Sequence, residues 1–188
     1  MKPILILLSF FLGHFTSGQT VVQDPPPVQE NKRVERSKTI MMSPFTGIKV
    51  FSGIQVKLIP STENKLILSG ENFETVVTTL KKDVLRIKHS LDQIFNPKNT
   101  YIEIYFSKPL DLIHTYQGSI VESEALLKTT SIELKVHEGS SIELNLESEK
   151  IESRVNSGAT LNIKGSTVNH ELKILGGGIC ESETLLTK

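Results

Sequence analysis

The sequence predicts an all-β protein built as a β-solenoid, a stack of short parallel strands whose coils repeat about every 20 residues. Three observations predict it. Glycines recur at Gly118, Gly139, Gly158 and Gly178, separated by 21, 19 and 20 residues. The segments that follow align as Gly118-Ser-Ile-Val121, Gly139-Ser-Ser-Ile142, Gly158-Ala-Thr-Leu161 and Gly178-Ile-Cys180. Short alternating runs then follow, such as Ile132-Glu-Leu-Lys-Val136, Ile142-Glu-Leu-Asn-Leu146, Leu161-Asn-Ile163 and Leu172-Lys-Ile174. A period of two sends alternate side chains to opposite faces of a sheet. One such unit cannot bury its apolar face alone, but stacked units can, each strand pairing in parallel ~4.8 Å above the last. Each coil must turn sharply, which favours glycine. Serine and threonine near the corners can hydrogen-bond the turn backbone. The competing arrangement is a meandering antiparallel sandwich whose glycine spacing is accidental.

The chain opens with MKPILILLSFFLGHFTSG, residues 1–18. Lys2 supplies a short positive segment, Ile4 to Phe15 is mostly apolar, and the small residues Thr16, Ser17 and Gly18 follow. That is the layout of a secretory signal peptide cleaved after Gly18. The apolar run is shorter than the ~20 residues a membrane span takes, and no later segment is apolar enough to span either. No cysteine stands near the cleavage point to carry a lipid anchor. Residues 19–37 are polar and proline-rich, with Pro25, Pro26 and Pro27 consecutive. Such a run is stiff and extended, and reads as a tether. A docking motif for a proline-recognising partner is the alternative.

The remaining residues, 38–188, form the folded domain. Ile48 and Val50, then Ile54, Val56 and Leu58, alternate with polar residues around a turn or bulge at Gly53. Lys65 to Ser69 is a short strand bounded by Gly70. Glu74 to Ser90 reads as a β-hairpin turning near Lys82-Asp83. Asn72 to Lys82 has helical spacing, but Thr75 to Thr79 are five β-branched residues in a row and favour strand, with room for one helical turn near Asn72. A loop spans Asp92 to Thr100, and Thr100 to Phe106 is a strand with Ile102, Ile104 and Phe106 on one side.

Composition excludes several functions. Lys+Arg and Asp+Glu both count 21 in 188 residues, so no basic surplus favours nucleic acid or an anionic membrane. Trp is absent and Tyr scarce, which argues weakly against an aromatic-lined sugar or base platform. Cys180 is the single cysteine, so no disulfide forms within the chain. It is expected to be a small core thiol rather than a reactive one.

Parallel β-helices also carry polysaccharide lyases, so catalysis must be weighed. Aspartate occurs only at positions 24, 83, 92 and 111, none in the repeat. The glutamates Glu122, Glu124, Glu133, Glu143, Glu147 and Glu152 could supply an acid–base pair. They alternate with apolar residues, however, and are expected to line the solvated face. His89, His114, His137 and His170 show no metal-ligand spacing and are expected at the surface. No nucleophile motif, phosphate loop or dinucleotide fingerprint is present. No catalytic residue, metal site or cofactor is assigned, and the binding residues stay open.

The residues resemble one known family. Phe45-Thr-Gly-Ile-Lys-Val50 followed by Ser52-Gly-Ile-Gln-Val-Lys-Leu58 is similar to the opening of the head GIN domain of putative auto-transporter adhesins, common in Bacteroidota envelope proteins. Val84-Leu-Arg-Ile87, Tyr101-Ile-Glu-Ile-Tyr-Phe106, Pro109-Leu110 and Gly118-Ser119 continue the match in order over about residues 38–188. The resemblance implies a right-handed parallel β-solenoid, a periplasmic, surface or secreted location, an adhesive or interaction role, and no catalytic residues. Members often carry further coils and a glycine-rich closing strand, which leaves the capping of this chain open. Together these readings describe a non-catalytic exported interaction module with a glycan or an envelope protein as partner. The alternatives are a glycan-active enzyme and a structural unit that assembles with copies of itself through its open ends.

Overall fold

The computed structural model describes residues 36–90 and 99–182, and the backbone of 185–187. The expected signal peptide, nearly all of the linker and most of the loop at 92–100 lie outside the described residues. The strands are β1 (Lys38–Met41), β2 (Gly47–Val50), β3 (Gln55–Pro60), β4 (Lys65–Gly70), β5 (Val76–Lys81), β6 (Val84–His89), β7 (Thr100–Phe106), β8 (Leu112–Thr115), β9 (Ile120–Val136), β10 (Ser141–Val155), β11 (Thr160–Ile174), β12 (Ile179–Glu181) and β13 (Leu185–Thr187). A single 3₁₀ turn, Phe73–Thr75, precedes β5. The all-β class, the hairpin at Lys82-Asp83 and the short helical turn after Asn72 agree with the sequence.

The right-handed parallel β-helix does not form. The strands join one mixed, 13-stranded sheet that curls over its own core. The reason lies in the first half of the chain. Lys82 and Asp83 both take positive φ and close a tight hairpin, so β5 runs antiparallel to β6. The short connection after Pro60 reverses the chain, so β4 cannot run with β3. It pairs antiparallel with β7 on one side and β1 on the other. The 20-residue period marks parallel register between three long strands instead. Ile120 lies opposite Ser141, and Ser141 opposite Thr160.

These long strands are shared by two limbs of the sheet. Pairing skips one residue in each, at Thr130, Glu149 and Val168. The buried positions of β10 change parity there, from Leu146 and Ser148 to Ile151, Ser153 and Val155. The skipped residues stay in register with one another, so the three strands turn the corner together; the bulge lies earlier in β9, where Glu124 and Ala125 have no counterpart in β10. Before the corner the sheet continues through β3, β7 and β4 to β1; after it, through β8, β2 and β6 to β5. The inner faces of both limbs form one apolar core, including Leu58, Ile104, Ile142 and Leu161 from the first and Ile48, Ile113, Leu134 and Ile151 from the second. Each such side chain stabilises the fold by roughly 1.5–3 kcal/mol through burial.

The last strand departs from this economy. Leu172 and Ile174 point to the core side of β11, yet are 42% and 45% exposed. β12 and β13 cover only Thr160–Asn162 and Gly165–Thr167. Among the described residues, Asn169–Ile174 therefore pairs with β10 alone.

Candidate binding surface

The second corner of the curl is a column of tight turns. Gln117-Gly118, Glu138-Gly139, Ser157-Gly158 and Gly176-Gly177 all have positive φ. Ser119, Ser140, Ala159 and Gly178 each donate a backbone N–H to the carbonyl three residues before. Positive φ at both central residues with this bond defines a type I′ turn. The turns are hydrogen-bonded to each other, Gly118 N to Glu138 O at 2.9 Å and Gly139 N to Ser157 O at 3.0 Å. Ser52-Gly53 joins the same column, its Gly53 N–H donating to Gln117 O at 2.9 Å. The sequence alignment was one residue out at the last turn, because three consecutive glycines fit it equally well. The backbone pairs Thr160 with Ile179, so Gly177 is the counterpart of Gly158.

The residue just before each turn stands outside the corner. Phe51, Tyr116 and His137 fall in register there and stack, with centroids 4.7 Å apart for the first pair and 5.4 Å for the second. The Arg86 guanidinium covers the free face of Phe51 at 4.4 Å. The rings lie nearly parallel, at 8° and 19°, so they spend their flat faces on one another. Such a stack stiffens the corner and leaves Phe51 and Tyr116 no free face for a sugar or base.

His114 lies one pleat inward from Tyr116. Its Nδ1 is 3.5 Å from the Tyr116 hydroxyl, and its Nε2 is 3.3 Å from Glu133 Oε2, off the line of a good hydrogen bond. Burial pushes His114 down to about 4, helped by Lys135 and Lys49 and opposed by Glu133. It is therefore a neutral ring at neutral pH. Burial resists ionisation of Glu133, but the Lys135 ammonium paired with it outweighs this and holds that carboxyl below its usual range. Glu133 is in this way kept as an anion, unsuited to act as a general acid.

The outer faces of the two limbs differ in charge. On the first limb Glu103, Lys57, Glu122, Glu143, Asn162 and Glu181 form one column across six strands. On the second limb the column is Arg86, Lys49, His114, Lys135, Arg154 and Lys173. Beside it runs Glu133, Glu152 and Glu171. Lys135 pairs with Glu133, and Lys150 draws both Glu152 and Glu171 away from Arg154 and Lys173. A shallow depression of about 310 Å³ lies over these rungs.

The structure spreads the candidate residues of the sequence rather than gathering them. Glu124, Glu143, Glu147 and Glu152 are each ion-paired to a lysine, Lys57, Lys164, Lys128 and Lys150 respectively. The histidines correct the surface expectation. His89 and His114 are each 3% exposed, His89 receiving or donating a 2.8 Å hydrogen bond with Thr75 Oγ1. His170 is partly buried, 2.9 Å from Ser153 Oγ. Cys180 is half-buried against the core, and burial raises its thiol pKa. Among the described residues no three His, Cys, Asp or Glu come together as a metal site, and no helix is long and apolar enough to cross a membrane. The sequence missed the basic column, because its members are 86, 49, 114, 135, 154 and 173 in the chain. Only the strand register shows that they are neighbours.

The fold and its outer surface define an all-β module whose charged side chains are ordered in columns over a continuous sheet. The chain belongs to the family described as putative auto-transporter adhesin, head GIN domain, whose model matches residues 44–188. Solved structures share the fold. A putative adhesin from Bacteroides fragilis superposes with a TM-score of 0.74 at 14% identity, over 82% of this chain and 73% of that one. A putative adhesin from Parabacteroides distasonis gives 0.55 at 16% identity, over 80% and 76%. A putative lipid binding protein from the same species gives 0.59 at 13% identity, over 80% and 74%. A comparison with the curated proteins finds no match.

Proposed function

We propose that this protein is an exported, non-catalytic interaction module of the cell envelope that binds through the outer face of its sheet. The observation that carries the reading is the in-register column of charge on each limb, on a chain of an adhesin-head family. Parallel rungs ~4.8 Å apart offer the same contact many times over. That suits a repetitive partner held by several weak contacts, such as a glycan or a regular envelope assembly. A single enclosed substrate would need a deep cleft instead. The leader-like residues 1–18 support export, and the proline-rich residues 19–37 support a tether. The test is a screen of purified labelled protein against glycan arrays and envelope fractions. Saturable, competable binding is expected. No binding up to the solubility limit would overturn the reading.

The open stretch of β11 favours a second reading, a unit that assembles with its own copies. Among the described residues its backbone pairs on one side only, and with the exposed Leu172 and Ile174 it forms an available edge. Sedimentation over a hundredfold concentration range should then show self-association that Leu172→Lys abolishes. A monomer at every concentration removes this reading.

A further inference from the structure

We propose that the basic column on the second limb is the binding site, and that its ligand is a linear carboxylated polysaccharide laid across the strands. This inference rests on the interaction-module reading and names its ligand class and its face. Arg86, Lys49, Lys135, Arg154 and Lys173 occupy equivalent positions on five of six successive strands. Arg86, Lys49, His114, Lys135 and Arg154 each adjoin a fully buried neighbour, Ile87, Ile48, Ile113, Leu134 and Val155, so that part of the column stands on a rigid base, while Lys173 sits between the half-exposed Leu172 and Ile174 at the open stretch of β11. Five strand spacings of about 4.8 Å make it about 24 Å long. Among the described residues Lys49, Arg154 and Lys173 make no ion pair, although acids lie one pleat away. Lys150 takes two of those acids, Glu152 and Glu171, leaving Arg154 and Lys173 free for a ligand. His114 interrupts the column with a neutral ring, but it leaves both cation groups on the same line.

The shape selects the polymer. The column is one side chain wide and flanked on one side by acids and on the other by the Phe51–Tyr116–His137 stack. A thin chain with one charge per short repeat matches it. A nucleic acid matches less well, because both faces of Phe51 and Tyr116 are already covered and cannot stack on its bases. Arginine and lysine both hold carboxylates through charge-assisted hydrogen bonds, Arg154 and Arg86 in bidentate form.

The experiment measures binding of polygalacturonate oligomers of increasing length by titration calorimetry. The fully methyl-esterified polymer has the same backbone without the charge and serves as control. Binding at 50 mM salt is expected to strengthen with length until the oligomer reaches from Arg86 to Lys173, and to weaken at least tenfold at 200 mM. Arg154→Glu with Lys173→Glu should weaken it at least tenfold. Glu122→Lys with Glu143→Lys, on the opposite face, should leave it unchanged or strengthen it. Circular dichroism of each variant confirms that the sheet is intact. The proposal is overturned by equal binding of the ester, by no effect of the Arg154 and Lys173 reversals, or by those reversals dissolving a dimer instead. Failure of polygalacturonate alongside saturable binding of a neutral envelope glycan sinks this inference and leaves the module reading standing. Failure of both removes both.

Discussion

The curled sheet turns at two corners, and it makes them differently. At one, the chain leaves the ladder altogether and closes type I′ turns, with glycine at the second position and, before three of them, a stacked ring just outside. At the other, the long strands run on through the bend. Each skips one pairing there, β9 also carrying a two-residue bulge at Glu124 and Ala125, and Thr129, Ser148 and Thr167 hold the bend. Each hydroxyl donates to the carbonyl two residues on, Ser148 to Lys150 O at 2.9 Å and Thr167 to Asn169 O at 3.1 Å. Ser148 and Thr167 also reach Thr130 O and Glu149 O on the neighbouring rung. The first corner is held by backbone conformation, the second by side-chain hydrogen bonds. They should therefore fail under different substitutions.

The largest effect is expected beside the hydroxyl corner, at Gly165. Its φ is +118°, and an added Cβ would sit 2.1 Å from Leu146 O. The atom in the way is backbone, so nothing flexible can yield. Gly165→Ala should destabilise the protein by roughly 3–5 kcal/mol, through overlap plus conformational strain. Urea denaturation checks it; a change under 1 kcal/mol would mean that the rungs are not packed this closely.

The next effect is reached by pH rather than substitution, and it belongs to the turn corner. His114 is held near 4, well below its ordinary value of about 6.5. Between those values the unfolded chain binds a proton that the native chain refuses. Stability is thus full above about pH 6.5, falls as pH drops through the window, and levels off below about 4. For a ring this buried the loss is about 3 kcal/mol. His89, His137 and His170 are also lowered by burial and act in the same sense. The native protein should lose more stability between pH 7 and pH 4 than His114→Gln does. Equal slopes would show that His114 already carries its proton in the fold.

How far the two corners were legible in the sequence follows from the same physics. Positive φ at a turn has a preferred residue, so Gly118, Gly139 and Gly158 announced their corner. The bend has no such residue. Its trace is a change of parity from Leu146 and Ser148 to Ile151, which looks like a lapse in alternation. Ser52-Gly53 belongs to the glycine column but was hidden by the 63 residues that lie between Gly53 and the next turn residue, Gln117. Those residues hold the hairpins that make the sheet mixed, and a repeat confined to the second half could not announce them. The basic column was illegible for a related reason: alternation places Lys49, Arg86 and Lys135 on outer faces, but only the register puts them side by side.

At the turns themselves a milder response is expected. An added Cβ at Gly139 meets nothing within 4 Å, so Gly139→Ala has only its backbone conformation, φ +68°, to oppose it. The left-handed region costs an ordinary residue about 1–2 kcal/mol. Glu138 already accepts that cost at the neighbouring position, with φ +58°. Gly139→Ala should therefore lower the stability by about that amount, several times less than Gly165→Ala. The ratio of the two tests the contrast directly: conformation alone at one site, conformation plus contact at the other.

Ser148→Ala should be the smallest of these changes and the most specific to the hydroxyl corner. Ser148 is 7% exposed, and its Oγ serves the carbonyls of Thr130 and Lys150. Removing it deletes a hydrogen bond worth about 1 kcal/mol, moderated if water reaches the freed carbonyls. Ser148→Thr provides the counter-test, since threonine already fills the equivalent positions 129 and 167 in the neighbouring rungs. It should be neutral within about 0.5 kcal/mol. If Thr destabilises as much as Ala, the corner is governed by side-chain volume, and the hydroxyls do not hold it. If Thr is neutral and Ala is not, the bend is a hydrogen-bonded device repeated rung by rung, independent of the glycine turns across the core.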